Sequence, residues 1–145
     1  MSKTLSGGCA CGTVRYALAS DPVDSGWCHC RICQPPSGAP ALVFPAVPRQ
    51  DFAFTRGAER VGTFRSSDFG HRLFCRDCGT PLAMEVDYEP KTIDFSVATL
   101  DDPGAVPPEF HIFYESRVSW FEPGDSLPKH TRFRRVSGSP DETAD

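Results

Sequence analysis

The chain has 145 residues, 39% of them hydrophobic, and a net charge of -4. That length suits one domain with a single sizeable core. The acidic balance argues against a chain that coats nucleic acid or an anionic membrane, and no apolar run approaches the ~18 residues that a membrane span needs.

Residues 1–8 carry one lysine and no apolar stretch. They read as a short flexible lead rather than a secretory signal, and the cytoplasm is the expected compartment. Val14, Tyr16 and Leu18 alternate with Arg15 and Ala17, which predicts a half-buried strand over residues 13–19. Asp21 and Pro22 break it. Residues 25–40 hold Gly26, Pro35, Pro36, Gly38 and Pro40, and read as a breaker-rich loop that also carries three cysteines. Residues 41–47 read as a strand in which Pro45 demands an edge or a bulge. Short strands are expected over residues 51–55, around Phe52 and Phe54, and over residues 60–65, with Val61 near Phe64. Residues 73–75 lead into a second cysteine turn. Residues 81–87 alternate Leu82, Met84 and Val86. Residues 92–98 set Ile93, Phe95 and Val97 against Asp94 and Ser96, the cleanest strand pattern in the chain. Residues 110–114 make a further strand. No helix is expected beyond a short turn near residues 116–121. With 14 prolines and 12 glycines, the pattern is that of an all-β domain over residues 1–136, followed by a frayed polar tail at 137–145.

Seven cysteines in a reducing compartment are thiols or metal ligands, and an odd number cannot pair completely. They fall into three groups: Cys9 and Cys11; Cys28, Cys30 and Cys33; Cys75 and Cys78. Close pairs let one turn of backbone present two sulfurs to one ion. Soft thiolates select zinc, iron or copper(I), and zinc takes four tetrahedral ligands. Gly12 and Gly79 directly follow two of the groups and permit the backbone of a tight knuckle, whereas Cys33 is followed by Gln34. Cys9, Cys11, Cys75 and Cys78 are therefore paired into a closed structural zinc site. Cys28, Cys30 and Cys33 remain as three ligands. An open fourth position there would make a catalytic zinc that activates a thiol. Alternatively, His71, His111 or His130 closes that site, with His29 pointing away from it. A thioredoxin-like role for Cys75 and Cys78 lacks the required βαβ pattern.

Several segments resemble the glutathione-dependent formaldehyde-activating enzyme family, also called the centromere protein V/GFA domain. They are Gly7-Gly8-Cys9-Ala10-Cys11-Gly12-Thr13-Val14-Arg15-Tyr16, Cys28-His29-Cys30-Arg31-Ile32-Cys33 and Phe74-Cys75-Arg76-Asp77-Cys78-Gly79-Thr80-Pro81-Leu82. Gly38-Ala39, residues 98–103, residues 111–117, Trp120 and Leu127-Pro128 extend the likeness over residues 5–132. The resemblance implies an all-β fold of the β-tent type and two zinc ions per chain. One ion would be held by Cys9, Cys11, Cys75 and Cys78, the other by Cys28, Cys30 and Cys33 as the catalytic set. It implies a carbon–sulfur lyase that joins glutathione, or a related thiol, to formaldehyde as S-hydroxymethylglutathione. The alternative is a non-catalytic interaction module with both zincs structural; a nucleic-acid-binding zinc ribbon is disfavoured by the charge.

Arg31, Arg65, Arg72, Arg76 and Arg117 are candidate counter-charges for substrate carboxylates or for the thiolates. Phe44, Phe52, Phe54, Phe64 and Phe95 are expected in the core or lining a pocket. Trp27 is a candidate wall of the three-cysteine site, and Trp120 with Phe121 a cover for the sheet. His111 is a candidate general base. Asp101 and Asp102 read as a turn, and Glu115 as a hydrogen-bond partner for a neighbouring group.

Overall fold

The computed structural model describes residues 4–134. The alternating segments form β1 (Leu5–Gly8), β2 (Arg15–Leu18), β3 (Val23–Cys28), β4 (Leu42–Pro48), β5 (Phe52–Arg56), β6 (Val61–Ser67), β7 (Gly70–Cys75), β8 (Pro81–Val86), β9 (Thr92–Phe95) and β10 (His111–Ile112). β1, β2 and β5 make a three-stranded sheet, and the other seven run in the order β10-β3-β4-β9-β8-β7-β6. All pairings are antiparallel except β10 with β3.

The main core gathers Val14, Tyr16 and Leu18 with Val47, Phe52, Leu82, Ile93 and Phe95. Tyr16 stacks on Phe52 with centroids 4.8 Å apart. Each fully buried aromatic or aliphatic side chain contributes roughly 1.5–3 kcal/mol. A second cluster of Cys28, Cys33 and Phe44 is flanked by Met84 and Ile112. Asp94 lies between Ile93 and Phe95 on β9, so the period of two puts it on the face away from the main core. Its cross-strand neighbours are Met84 and Ala46.

Several expectations are corrected. The flexible lead is in part a strand: β1 pairs with β2, and Gly7 is needed there because a Cβ would come within 2.3 Å of the Thr99 carbonyl. The loop over residues 25–40 begins as β3. Gly26 does not break this strand; it makes room for the Phe110 ring, which a Cβ would meet at 2.2 Å. The same loop holds a single helical turn, α1 (Gln34–Ser37), with prolines at its first positions, where no backbone N–H is needed, and left-handed Gly38 capping its end. Pro45 lies in an interior strand rather than at an edge, and the bulge that is the other expectation for it is present: the β3–β4 ladder is irregular opposite it and pairing with β9 starts at Ala46. The short turn near residues 116–121 is present, with the Phe121 N–H donating to the Val118 carbonyl at 3.2 Å, and a 3-10 turn at Tyr114–Ser116 precedes it. Phe64 and Trp120 are exposed rather than covered, while Phe121 packs on Trp27. The tail expected at 137–145 lies outside the described residues.

Candidate metal centre

Cys9, Cys11, Cys75 and Cys78 bring four sulfurs within 4.8 Å of one another. Cys9 and Cys11 sulfurs are 3.6 Å apart, and those of Cys11 and Cys75 3.9 Å. Tetrahedral bonds of ~2.3 Å would space sulfurs by about 3.8 Å, so the donor set fits a four-coordinate soft cation. The knuckles form as the glycines require. Gly12 and Gly79 have φ of 82° and 80°, and their N–H groups donate to the carbonyls of Cys9 and Cys75. The two knuckles are tied by the Ala10 N–H, which donates to Thr80 Oγ1 at 3.0 Å. Hydrogen bonds from the Thr80 hydroxyl and backbone pull the Cys78 thiol down to about 6, which favours the thiolate.

Cys28, Cys30 and Cys33 form a second, separate group. Cys28 ends β3, and the Cys33 and Gln34 N–H groups both donate to the Cys30 carbonyl, turning the chain into α1. The sulfurs make a triangle with edges of 3.4, 3.1 and 3.3 Å. Hydrogen bonds with Cys28 and Cys33 pull Cys30 down to about 3, while Cys28 is pushed far up by those same contacts and by burial. Three crowded sulfurs cannot all ionise without a cation among them, so this set also could hold a metal ion. Among the described residues, no histidine nitrogen, carboxylate oxygen or fourth sulfur joins the three.

The three free histidine candidates go elsewhere. His71 faces Glu85 at 3.6 Å, and His130 lies edge-on to Phe110. His111 is fully buried; its Nε2–H donates to Asp125 at 3.0 Å, and its Nδ1 accepts from His29 Nε2 at 2.8 Å. The Asp125 carboxylate thereby sets both tautomers. His29 does point away from the sulfurs, and burial with His111 beside it pushes its pKa down to about 4. Its Nδ1 has no partner among the described residues. Trp27 stacks on His111 with the rings 7° from parallel, on the face opposite Cys28, so it walls the histidine chain rather than the three-cysteine site. Sequence reasoning missed Asp125, which only the fold brings to His111.

The arginines are likewise sorted. Arg72 is buried, lies 3.5 Å from the Cys33 sulfur and sits over the Phe44 ring. Arg31 donates to Gln34, Arg65 pairs with Asp87, and Arg117 lies over Tyr114. Arg76 is exposed. Asp101 is held by Arg15, and Glu115 by Arg132.

Cys28 opens onto a cleft of about 450 Å³. Phe44, Met84, Phe110 and Ile112 supply apolar walls; Asp24, Glu89, Asp94 and Arg134 supply charge. Asp24 is aimed there by a left-handed backbone, φ 55°, within the β3 irregularity. No helix among the described residues is long and apolar enough to cross a membrane.

The fold and its sulfurs define a nearly all-β, two-sheet protein with two cysteine clusters that could hold metal ions. The model of the glutathione-dependent formaldehyde-activating enzyme family matches residues 4–116, and the chain belongs to that family. A Podospora anserina protein provisionally named as such an enzyme is 27% identical over 88% of this chain and 63% of its own length. A relative in Aspergillus flavus with the same provisional name is 29% identical over 88% of this chain and 69% of its own. A Schizosaccharomyces pombe protein named as an uncharacterized lyase is 29% identical over 52% of this chain and 53% of its own. The chain thus spans between about half and two thirds of the length of these relatives. A crystal structure of a Rhodobacter sphaeroides protein shares the fold, with a TM-score of 0.57 and 24% identity over 71% of this chain and 91% of that one.

Proposed function

We propose that this chain joins a thiol to an aldehyde, and splits the adduct in reverse, as a zinc-dependent carbon–sulfur lyase acting on glutathione or a related thiol and formaldehyde. One observation carries the reading: the sulfurs of Cys28, Cys30 and Cys33 lie within 4.8 Å of one another with no fourth protein donor among the described residues, and Cys28 lines a cleft of about 450 Å³. Zinc held by these three would supply a charged centre that favours the deprotonated form of a substrate thiol at neutral pH.

In the forward direction the thiol sulfur bonds to the carbonyl carbon. The C=O pair moves to oxygen, and the proton given up by the thiol ends there. In reverse, the carbon–sulfur bond breaks and the proton returns to sulfur. The residues of the chain supply position and environment. Phe44, Met84, Phe110 and Ile112 give the cleft apolar walls against which the two reactants are held together. Arg72 offsets negative charge at Cys33. Cys9, Cys11, Cys75 and Cys78 would hold the second zinc as a staple of the fold. The free thiols suit a reducing compartment, and the cytoplasm is the proposed one.

The test is exchange NMR on formaldehyde with glutathione and with a smaller thiol, cysteamine, using the zinc-loaded protein. Exchange of either thiol faster than with the Cys30→Ser variant supports the reading. Equal rates for both thiols overturn it in favour of an interaction module with two structural zincs.

A further inference from the structure

We infer that the thiol taken by the cleft beside Cys28 carries an ammonium group and no carboxylate: a small aminothiol. This names the substrate class of the site proposed above and rests on that function.

Among the described residues, four charged side chains line the cleft: Asp24, Glu89, Asp94 and Arg134. The single cation among them is already engaged. Arg134 donates to Asp24 at 2.6 Å, and its guanidinium lies over the Phe110 ring at 4.8 Å. Among the described residues the Glu89 carboxylate meets only the Thr92 hydroxyl, at 3.5 Å. Asp94 stands between the apolar cross-strand neighbours Met84 and Ala46, and no hydrogen bond reaches its carboxyl among the described residues. Burial, with Glu89 and Asp24 nearby, pushes Asp94 up to about 7. A carboxyl raised in this way gains most from an incoming cation, which would restore its charged form.

An ammonium brings three N–H donors and a positive charge to Glu89 and Asp94 while its thiol lies toward Cys28. A carboxylate meets the opposite reception. It would enter beside two acidic groups, with no uncommitted Arg or Lys among the described lining residues. Like-charge juxtaposition disfavours a ligand, and such repulsive elements set specificity alongside the attractive ones. Glutathione, with two carboxylates to one ammonium, is therefore a poor match to these walls.

The test titrates zinc-loaded full-length protein by calorimetry with cysteamine, 3-mercaptopropionate and glutathione, then follows exchange of each with formaldehyde by NMR. Cysteamine should bind on the order of tenfold more tightly than 3-mercaptopropionate, the size expected of one partly desolvated charge contact. In the Glu89→Gln/Asp94→Asn double variant, which keeps all seven cysteines, that ratio should fall toward one. Equal or tighter binding of 3-mercaptopropionate by the wild type, or a preference that survives in the double variant, overturns the inference. Preferred binding and turnover of glutathione also overturns it, yet leaves the proposed function standing. Failure to bind or turn over any of the three thiols removes both.

Discussion

Removing paired cysteines should separate a staple from a local turn. The sulfurs of Cys11 and Cys75 meet across 64 residues of sequence, whereas Cys28 and Cys33 are only 5 apart. A cross-link constrains the unfolded chain according to the logarithm of the loop it closes. For these two spans the chain-entropy relation gives about 4 kcal/mol and about 2 kcal/mol at 25 °C. The staple also joins the N-terminal knuckle to the β7–β8 turn, so its loss frees β1 and β2 from the larger sheet at that end. Against a total stability of roughly 5–15 kcal/mol, the larger figure is enough to leave much of a marginal domain unfolded. The zinc-loaded Cys75→Ser/Cys78→Ser variant should therefore show a far lower urea midpoint than the Cys30→Ser/Cys33→Ser variant. The latter should stay folded and release about one zinc fewer than the wild type to a chromogenic chelator. Equal losses of midpoint, or unfolding of the Cys30→Ser/Cys33→Ser variant alone, would refute the division into a stapling site and a local one.

Three further outcomes are expected. Burial pushes the Tyr16 phenol up to about 12 from its ordinary 10, so between those pH values the unfolded chain has lost a proton that the folded one keeps. Stability should fall by about 3 kcal/mol as pH rises through that window, and Tyr16→Phe should flatten the alkaline limb of a urea–pH series by one proton; identical slopes would count against it. Gly26→Ala drives a methyl into the Phe110 ring, which should cost about 1–3 kcal/mol in urea titration and weaken thiol binding at the cleft. Asp125→Ala removes the carboxylate that His111 Nε2 donates to, and should lower the urea midpoint while shifting the imidazole nitrogen signals of His111 and His29; unchanged signals would show that Asp125 does not set their tautomers.

Much of this molecule is legible in its residues because the signals are local. The alternation of Ile93, Asp94 and Phe95 follows from the two-residue pleat, and both apolar positions are fully buried. Gly12 and Gly79 report their knuckles because a left-handed backbone is a property of a few adjacent residues. Misreadings arise where a residue serves a distant neighbour. Gly26 looks like a breaker until Phe110 is seen lying on it, and the Ser6-Gly7-Gly8 segment looks flexible until Tyr16 and Thr99 close over Gly7. Pro35 and Pro36 argue against a helix in general but not at its first turn, where their missing N–H groups have no partner to lose.

By itself, the amino-acid order determines an all-β chain with two sets of sulfurs, since strand periodicity and cysteine spacing are short-range facts. Tertiary structure alone decides what surrounds them. It joins Asp125 to His111 and His29, buries Arg72 against Cys33, and turns Asp24, Glu89 and Asp94 toward one cleft. Such groupings depend on sheet order and on a strand irregularity, which bring together residues far apart in sequence, and no periodicity records them.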